Sequence, residues 1–157
     1  MNIRRFAAAD AQAVSDLIVR TLRVSNARDY PAAMLEELVT RMQPADILIR
    51  AGWTHFYVVE DGGAIVGCGA IGPYWEKTDE SSLFTIFVDP DWQGKGVGRR
   101  IIETLEQDEY ALRAKRIEIP ASITGLPFYL KLGYTYKDGN TEPDEELLYR
   151  LEKRFAR

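Results

Sequence analysis

Apolar residues along this chain recur at two spacings, one helical and one extended. Val14, Leu17, Ile18 and Leu22 follow one another at three and four residues, so they share one face of a helix, and Asp10 is suited to cap its start. The stretch 25–31 breaks that rhythm, with Pro31 fitting the first turn of a second helix. Met34, Leu35, Leu38, Val39 and Met42 form that helix's apolar stripe, and methionines at this spacing read as core. Gln43-Pro44 interrupts, and 45–51 reads as one or two further helical turns before Gly52. Runs rich in β-branched and aromatic residues mark strands at 2–6, 55–60, 64–74 and 82–88. Further strands are expected at 116–119, very short, at 134–138 and at 147–152, where Leu147, Tyr149 and Leu151 alternate with polar residues.

Turn chemistry joins these pieces. Asp61-Gly62-Gly63 predicts a hairpin turn, and Gly67, Gly69 and Gly72 in the returning strand signal a bulge or a close neighbour. A polar loop at 76–81 leads into the strand 82–88. One helix is expected to run from the glycines at 94–98 to about Arg113, and another over 124–132, stopped by Gly133. The order β-α-α-β-β-β-α-β-α-β-β describes an α/β (α+β) fold, a mixed central sheet with helices on both faces.

Length and composition narrow the function. A chain of 157 residues with neither linker nor repeat reads as one domain over 1–157. No apolar run is long enough for a bilayer, and the first residues lack a signal-peptide pattern. The single Cys68 excludes an internal disulfide, which points to a reducing cytoplasm. A net charge of −4 argues against a general nucleic-acid binder and mildly favours cationic small molecules. His55 has no second His or Cys for a metal site, so no metal is expected, and Cys68 reads as a small buried hydrophobe.

The stretch 82–100 carries the chemistry. A buried strand is ended by Asp89-Pro90-Asp91, and Gly94, Gly96 and Gly98 then fall just before the helical positions Ile101, Ile102 and Leu105. Such a loop turns unpaired N–H groups towards one point at a helix start, an anion site best suited to phosphate. It is not a P-loop, because Lys95 is followed by Gly96 with no Ser or Thr for magnesium. It is not a dinucleotide fingerprint, because Arg99 or Ile101 stands where the last glycine should be. A helix cap with permissive glycines is the bland alternative. What remains, Gln93-x-x-Gly96-x-Gly98 directly after a strand, resembles the pyrophosphate loop of the GNAT superfamily of acetyl-CoA-dependent N-acetyltransferases.

A second signature, Phe128-Tyr129-x-x-Leu132-Gly133-Tyr134, resembles the C-terminal motif of the same superfamily and follows in the expected order. The resemblance implies a single N-acetyltransferase domain whose fourth and fifth strands splay apart. Its cofactor would lie on Ile86, Phe87, Val88, Gln93, Gly94, Lys95, Gly96, Val97, Gly98, Arg99, Ser122 and Tyr129. Tyr129 would protonate the departing thiolate, and a backbone N–H around Phe87 or Val88 would hold the oxyanion. Glu118, between Ile117 and Ile119, is a candidate base; the alternatives are Glu76, Glu80, a water chain, or an ion pair of Glu118 with an arginine. Tyr30, Trp75 and Glu76 are candidates for the acceptor site, with Asp29, Trp53 and Tyr74 beside them. The reaction implied is acetyl transfer to a primary amine, small molecule or peptide, by direct attack in a ternary complex. A sensor of the same fold that binds acetyl-CoA without catalysis is the alternative. Neither nucleic acid nor membrane is implied, and a homodimer through the apolar final strand stays open.

Overall fold

Amphipathic helices and alternating strands assemble into one sheet with two cores. The computed structural model describes residues 1–157. Its N-terminal half holds β1 (Asn2–Arg5), α1 (Ala11–Val24), α2 (Ala32–Thr40), α3 (Pro44–Trp53), β2 (His55–Asp61) and β3 (Ala64–Pro73). After β4 (Glu80–Val88) come α4 (Val97–Glu106), α5 (Glu109–Leu112), β5 (Arg116–Ser122), α6 (Leu126–Lys131), β6 (Thr135–Tyr136) and β7 (Leu148–Arg154). The strands line up as β1-β2-β3-β4-β5-β7-β6. All neighbours are antiparallel except β4 and β5. β7 is therefore not the sheet edge, and β6 covers it only at Leu151 and Glu152.

Strand alternation sends side chains to opposite faces, and each face meets its own helices. Val14, Leu17, Ile18 and Leu22 of α1 join Leu35, Val39 and Ile47 against Phe56, Val58, Cys68 and Ala70 of the sheet. On the other face Ile101, Ile102 and Leu105 of α4 pack with Val59, Ile71, Leu83, Ile117 and Leu151. Within α2, Leu35 and Val39 are buried, whereas Met34 and Leu38 are only partly covered. No helix is long and apolar enough to cross a membrane.

Several boundaries differ from the sequence expectation, each for a local reason. Asp10 does not cap α1: its carboxylate takes the N–H of Ala7 at 2.8 Å and pairs with Arg4, so it closes the short 3₁₀ turn Ala8–Asp10 instead. The long helix expected to reach Arg113 breaks at Asp108, which caps α5 through the N–H of Tyr110 at 2.9 Å. That carboxylate also accepts the Tyr57 hydroxyl at 2.6 Å and meets His55 Nδ1 at 2.9 Å, which accounts for the lone histidine. β5 runs on through Pro120 to Ser122 because β7 supports it throughout. Residues 44–53 form a full helix, with Pro44 at its first position.

Gly69 sets how closely α4 approaches the sheet. A Cβ built there would stand 2.6 Å from Cγ2 of Ile101 and 3.2 Å from Leu105. Gly69→Ala is expected to cost about 1–3 kcal/mol, as overpacking of a filled core does. At roughly 2–4 °C per kcal/mol for a chain of this size, Tm should fall by several degrees in a thermal melt. An unchanged Tm would show that α4 does not rest on Gly69.

Candidate functional site

A cleft opens where two neighbouring strands stop pairing. β4 and β5 are hydrogen-bonded over Glu80–Arg116, Ser81–Ile117 and Ser82–Glu118 only. Beyond that point β4 stays with β3 up to Val88, β5 stays with β7 up to Ser122, and the two diverge. The gap is a cleft of about 1030 Å³, large enough for an extended ligand. Ile86, Phe87 and Val88 line one wall, Ile119, Pro120 and Ser122 the other. The edge of β4 facing the cleft is thus a strand edge without a strand partner, able to pair with an amide chain.

A bulge shapes that edge. Thr85 and Ile86 together stand opposite Gly69, and Thr85 has φ +55°. Left-handed backbone is costly for a β-branched residue and is held only where surroundings enforce it. Here Cys68 Sγ donates to the Thr85 carbonyl and Arg50 to the Thr85 hydroxyl, both at 3.3 Å. Burial pushes the Cys68 thiol up to about 12, which keeps it un-ionised and inert.

At the far end of β4 lies an anion seat. Asp89 accepts the N–H of Asp91 at 2.8 Å and starts a single 3₁₀ turn, after which Gly94 and Gly96 take φ +75° and +84°. Gly96 is the N-cap of α4 and has no side chain to satisfy the helix's first amides. Arg100 N–H bonds back to Gly96, so Val97, Gly98 and Arg99 present theirs at the helix start, where the dipole favours negative charge. Gln93, Gly94, Gly96, Gly98 and Arg99 line the cleft. Two of these have a further duty. The Gln93 amide donates to Ser25 Oγ at 2.9 Å and to the Val88 carbonyl at 3.1 Å, bracing the loop against the end of α1. A Cβ on Gly98 would stand 2.9 Å from the Phe128 ring, so this glycine admits α6 against α4.

Tyr129 on α6 is buried, lines the same cleft, and no hydrogen bond within the chain engages its hydroxyl. Burial first, and the nearby Cys68 second, raise its pKa above that of an ordinary phenol, so it stays protonated. Tyr30 also lines the cleft, but its hydroxyl is committed: it donates to Leu147 O at 2.7 Å and accepts from Ile123 N at 2.9 Å.

Five other sequence candidates lie elsewhere. The Lys95 ammonium sits 5.3 Å over the Trp92 ring, outside the cleft lining, and the Val97 side chain is core, so only its N–H serves the seat. Trp75 is 82% exposed and Glu76 is exposed beside it, both off the cleft. Glu118 is buried at the paired end of the strands and bonds Arg116 at 2.9 Å and Lys137 at 2.8 Å. Arg116 also meets Glu80 at 2.8 Å and Glu152 at 3.2 Å, so three carboxylates converge on one guanidinium. This is the arginine pairing that the sequence left open for Glu118, and it is a structural knot.

The structure adds residues that sequence reasoning passed over. Met34 and Leu38, read as core, line the cleft, as do Arg41 and Arg50. Arg50 follows the buried Ile47 by three positions on α3, and a charge on that inward face was a legible signal.

Comparison with known proteins agrees with this geometry. The family model of the acetyltransferase (GNAT) domain matches residues 52–136. An amino-acid acetyltransferase of Ralstonia nicotianae is 31% identical over 108 residues, 68% of this chain and 24% of the relative. The chain thus spans about a quarter of that curated relative's length. Among solved structures, PaiA N-acetyltransferase of Thermoplasma acidophilum, in complex with coenzyme A, superposes with TM-score 0.82 at 14% identity, covering 98% of both chains. A GNAT family acetyltransferase of Brucella melitensis, in complex with acetyl-CoA, gives TM-score 0.69 at 20% identity over 99% of this chain and 88% of that one. At these identities the structural likeness is one of fold.

The Glu118 knot makes a separate prediction. Glu118→Gln removes a charge that two cations share, leaving part of a buried network uncompensated. A loss of about 2–3 kcal/mol, within the range for a buried charged hydrogen bond, should lower Tm by several degrees. A variant as stable as the parent would show that the network does not depend on it.

Proposed function

Because the chain belongs to the GNAT acetyltransferase family, we propose that it transfers the acetyl group of acetyl-CoA to a primary amine of a small molecule, by direct attack in a ternary complex. One observation carries this reading: the anion seat, the unpaired edge of β4 and the Tyr129 hydroxyl all open into a single cleft. The N–H groups of Val97, Gly98 and Arg99, with the Arg99 guanidinium, would hold the pyrophosphate. The edge from Ile86 to Val88 would pair with the pantetheine amides, with Ser122 on the facing wall. The seat asks only for main-chain groups in the conformation that Gly94 and Gly96 already hold, so these residues fit the group.

When bound, acetyl-CoA supplies a thioester open to attack by a neutral amine. The main-chain N–H of Val88, which points to the opposite edge from those of Phe87 and Asp89, takes up the negative charge developing on the carbonyl oxygen. As the C–S bond breaks, Tyr129 gives its proton to the departing sulfur, and the proton shed by the attacking nitrogen passes through solvent and restores the tyrosine hydroxyl. Its raised pKa keeps it in the donating form, at the cost of some driving force, since an ordinary thiol titrates near about 8.5. Glu118, spent on Arg116 and Lys137, is not assigned the amine's proton; Glu145 and Glu146 line the cleft as exposed carboxylates and draw the ammonium in. A sensor that binds acetyl-CoA without turnover is the competing reading, and the unengaged Tyr129 hydroxyl supports chemistry over mere binding. The name of the Ralstonia relative makes amino acids one class of acceptor to try.

The test is release of coenzyme A thiol across an amine panel, with Tyr129→Phe beside the parent. Tyr129→Phe should lower kcat by roughly 100-fold, as loss of a general acid does, with acetyl-CoA affinity nearly unchanged. An unaltered kcat where chemistry limits turnover would take Tyr129 out of the mechanism. Tight binding without thiol release on any amine would favour the sensor.

A further inference from the structure

Arg50 is the anomalous charge of this molecule. Arg4, Arg20, Arg23, Arg116 and Arg150 each meet a carboxylate within 3.0 Å. Arg50 instead sits half-buried on the inward face of α3 and gives one N–H to Thr85 Oγ1 at 3.3 Å. Arg50 lines the cleft. A half-buried cation with no carboxylate within ion-pair distance is costly, and a guanidinium fork is shaped for two-point contact with a carboxylate. Burial drives its pKa down from the ordinary arginine value, Asp46 opposes that shift, and the neighbouring positive charge of Arg41 adds to it. Arg41, exposed at the end of α2, lines the same part of the molecule without an ion pair of its own. Arg28 and Arg99 also line the cleft, as does Glu37 one turn before Arg41, but only Arg41 and Arg50 stand as a mutually repelling pair without an ion pair to either, which describes a vacancy for one negative charge.

We propose that Arg50, assisted by Arg41, binds a carboxylate of the acceptor, so that the acceptor is a primary amine carrying a carboxylate, as a free amino acid does. This rests on the acetyl-transfer reading above. The anion in question is not the pyrophosphate. Arg50 touches Thr85, roughly 10 Å along β4 before Val88 at the strand rise of about 3.3 Å, and the glycine loop lies beyond that again. It is, however, beside the bulge, where Cys68 contacts Thr85 and also neighbours Tyr129, the proposed acid. Glu145 and Glu146 line the cleft as well, which gives it negative groups for an ammonium and positive groups for a carboxylate, a complement to a zwitterion.

The experiment compares kcat/KM for L-glutamate, L-methionine, L-phenylalanine and L-arginine with that for their α-carboxamides, in the parent, Arg50→Gln and Arg50→Lys. For the best amino acid the parent should prefer the acid over its amide by roughly 100-fold, the scale of a lost buried charge pair. In Arg50→Gln that ratio should collapse to within about threefold of one, the loss appearing in KM for the acid, and Arg50→Lys should recover part of it. A parent ratio near one, or a ratio that survives Arg50→Gln, overturns the proposal. So does weakened coenzyme A binding by Arg50→Gln with the ratio intact, which would give the guanidinium to the cofactor. If no amine in the panel is acetylated, the acetyl-transfer reading fails for these acceptors, and the carboxylate claim is decided by calorimetry with the N-acetyl amino acids and their amides. Binding of the acids alone, lost in Arg50→Gln, upholds it; equal binding of both, or binding of neither, overturns it.

Discussion

Everything that gives this fold a site depends on one interrupted pairing. β4 and β5 are parallel neighbours for three residue pairs and then part, although each continues against its outer partner. Had the ladder closed, Ile86 to Val88 would be satisfied by β5 and no ligand could use their edge. Keeping the strands apart costs hydrogen bonds that must be offset elsewhere, and the two outer pairings do that. The bulge at Thr85, opposite Gly69, turns the exposed edge, while the absent Cβ of Gly69 lets α4 lie close enough to bring its N-terminus to the same cleft. Sheet geometry, helix packing and anion seat are therefore one arrangement.

Charge is distributed to match. At the paired end, cross-strand register puts Glu118 opposite Glu152 and Glu80 opposite Arg116, so like charges would repel without the guanidinium between them. Arg116 joins Glu80, Glu118 and Glu152, with Lys137 beside them, and ties β4, β5 and β7 together just before the split. At the open end the balance is left unfinished: free amides at the start of α4, a tyrosine hydroxyl with no internal partner, and Arg50 without a carboxylate. Neutralised charge holds the strands where they pair, and un-neutralised charge faces the space where they do not.

The parts of this site legible in the sequence are those made of consecutive residues. The glycine loop was readable because φ > 0 at Gly94 and Gly96 and a helix start at Val97 are local matters. The sequence of elements and the apolar faces of the helices followed from periodicity, whereas the place of β7 between β5 and β6 did not. Contacts that join distant segments were not readable. Glu118 was placed correctly as a carboxylate in a buried strand, but three of its network partners, Glu80, Lys137 and Glu152, come from other elements, and those decide that it is an ion-pair residue. The break at Asp108 hid behind an apolar rhythm that continues to Tyr110, and what fixes it is an acceptor for Tyr57 and His55 from β2. Met34 and Leu38 have the spacing of core residues, and only the splayed strands opposite reveal that they border open space. Trp75 and Glu76, chosen for their position before β4, project from the fold because nothing packs over that loop.

On this reading one cleft takes the cofactor, with its phosphates on α4 and its amide arm on β4. Titration of ¹⁵N-labelled protein with coenzyme A, followed amide by amide, tests it most directly. Saturable shifts are expected at Val97, Gly98 and Arg99 and at Phe87 and Val88, with Arg116 to Glu118 unmoved. Shifts that spare Val97 to Arg99, or that gather instead around Tyr57, Arg100 and Gln107 in the second hollow beyond α4, would contradict it.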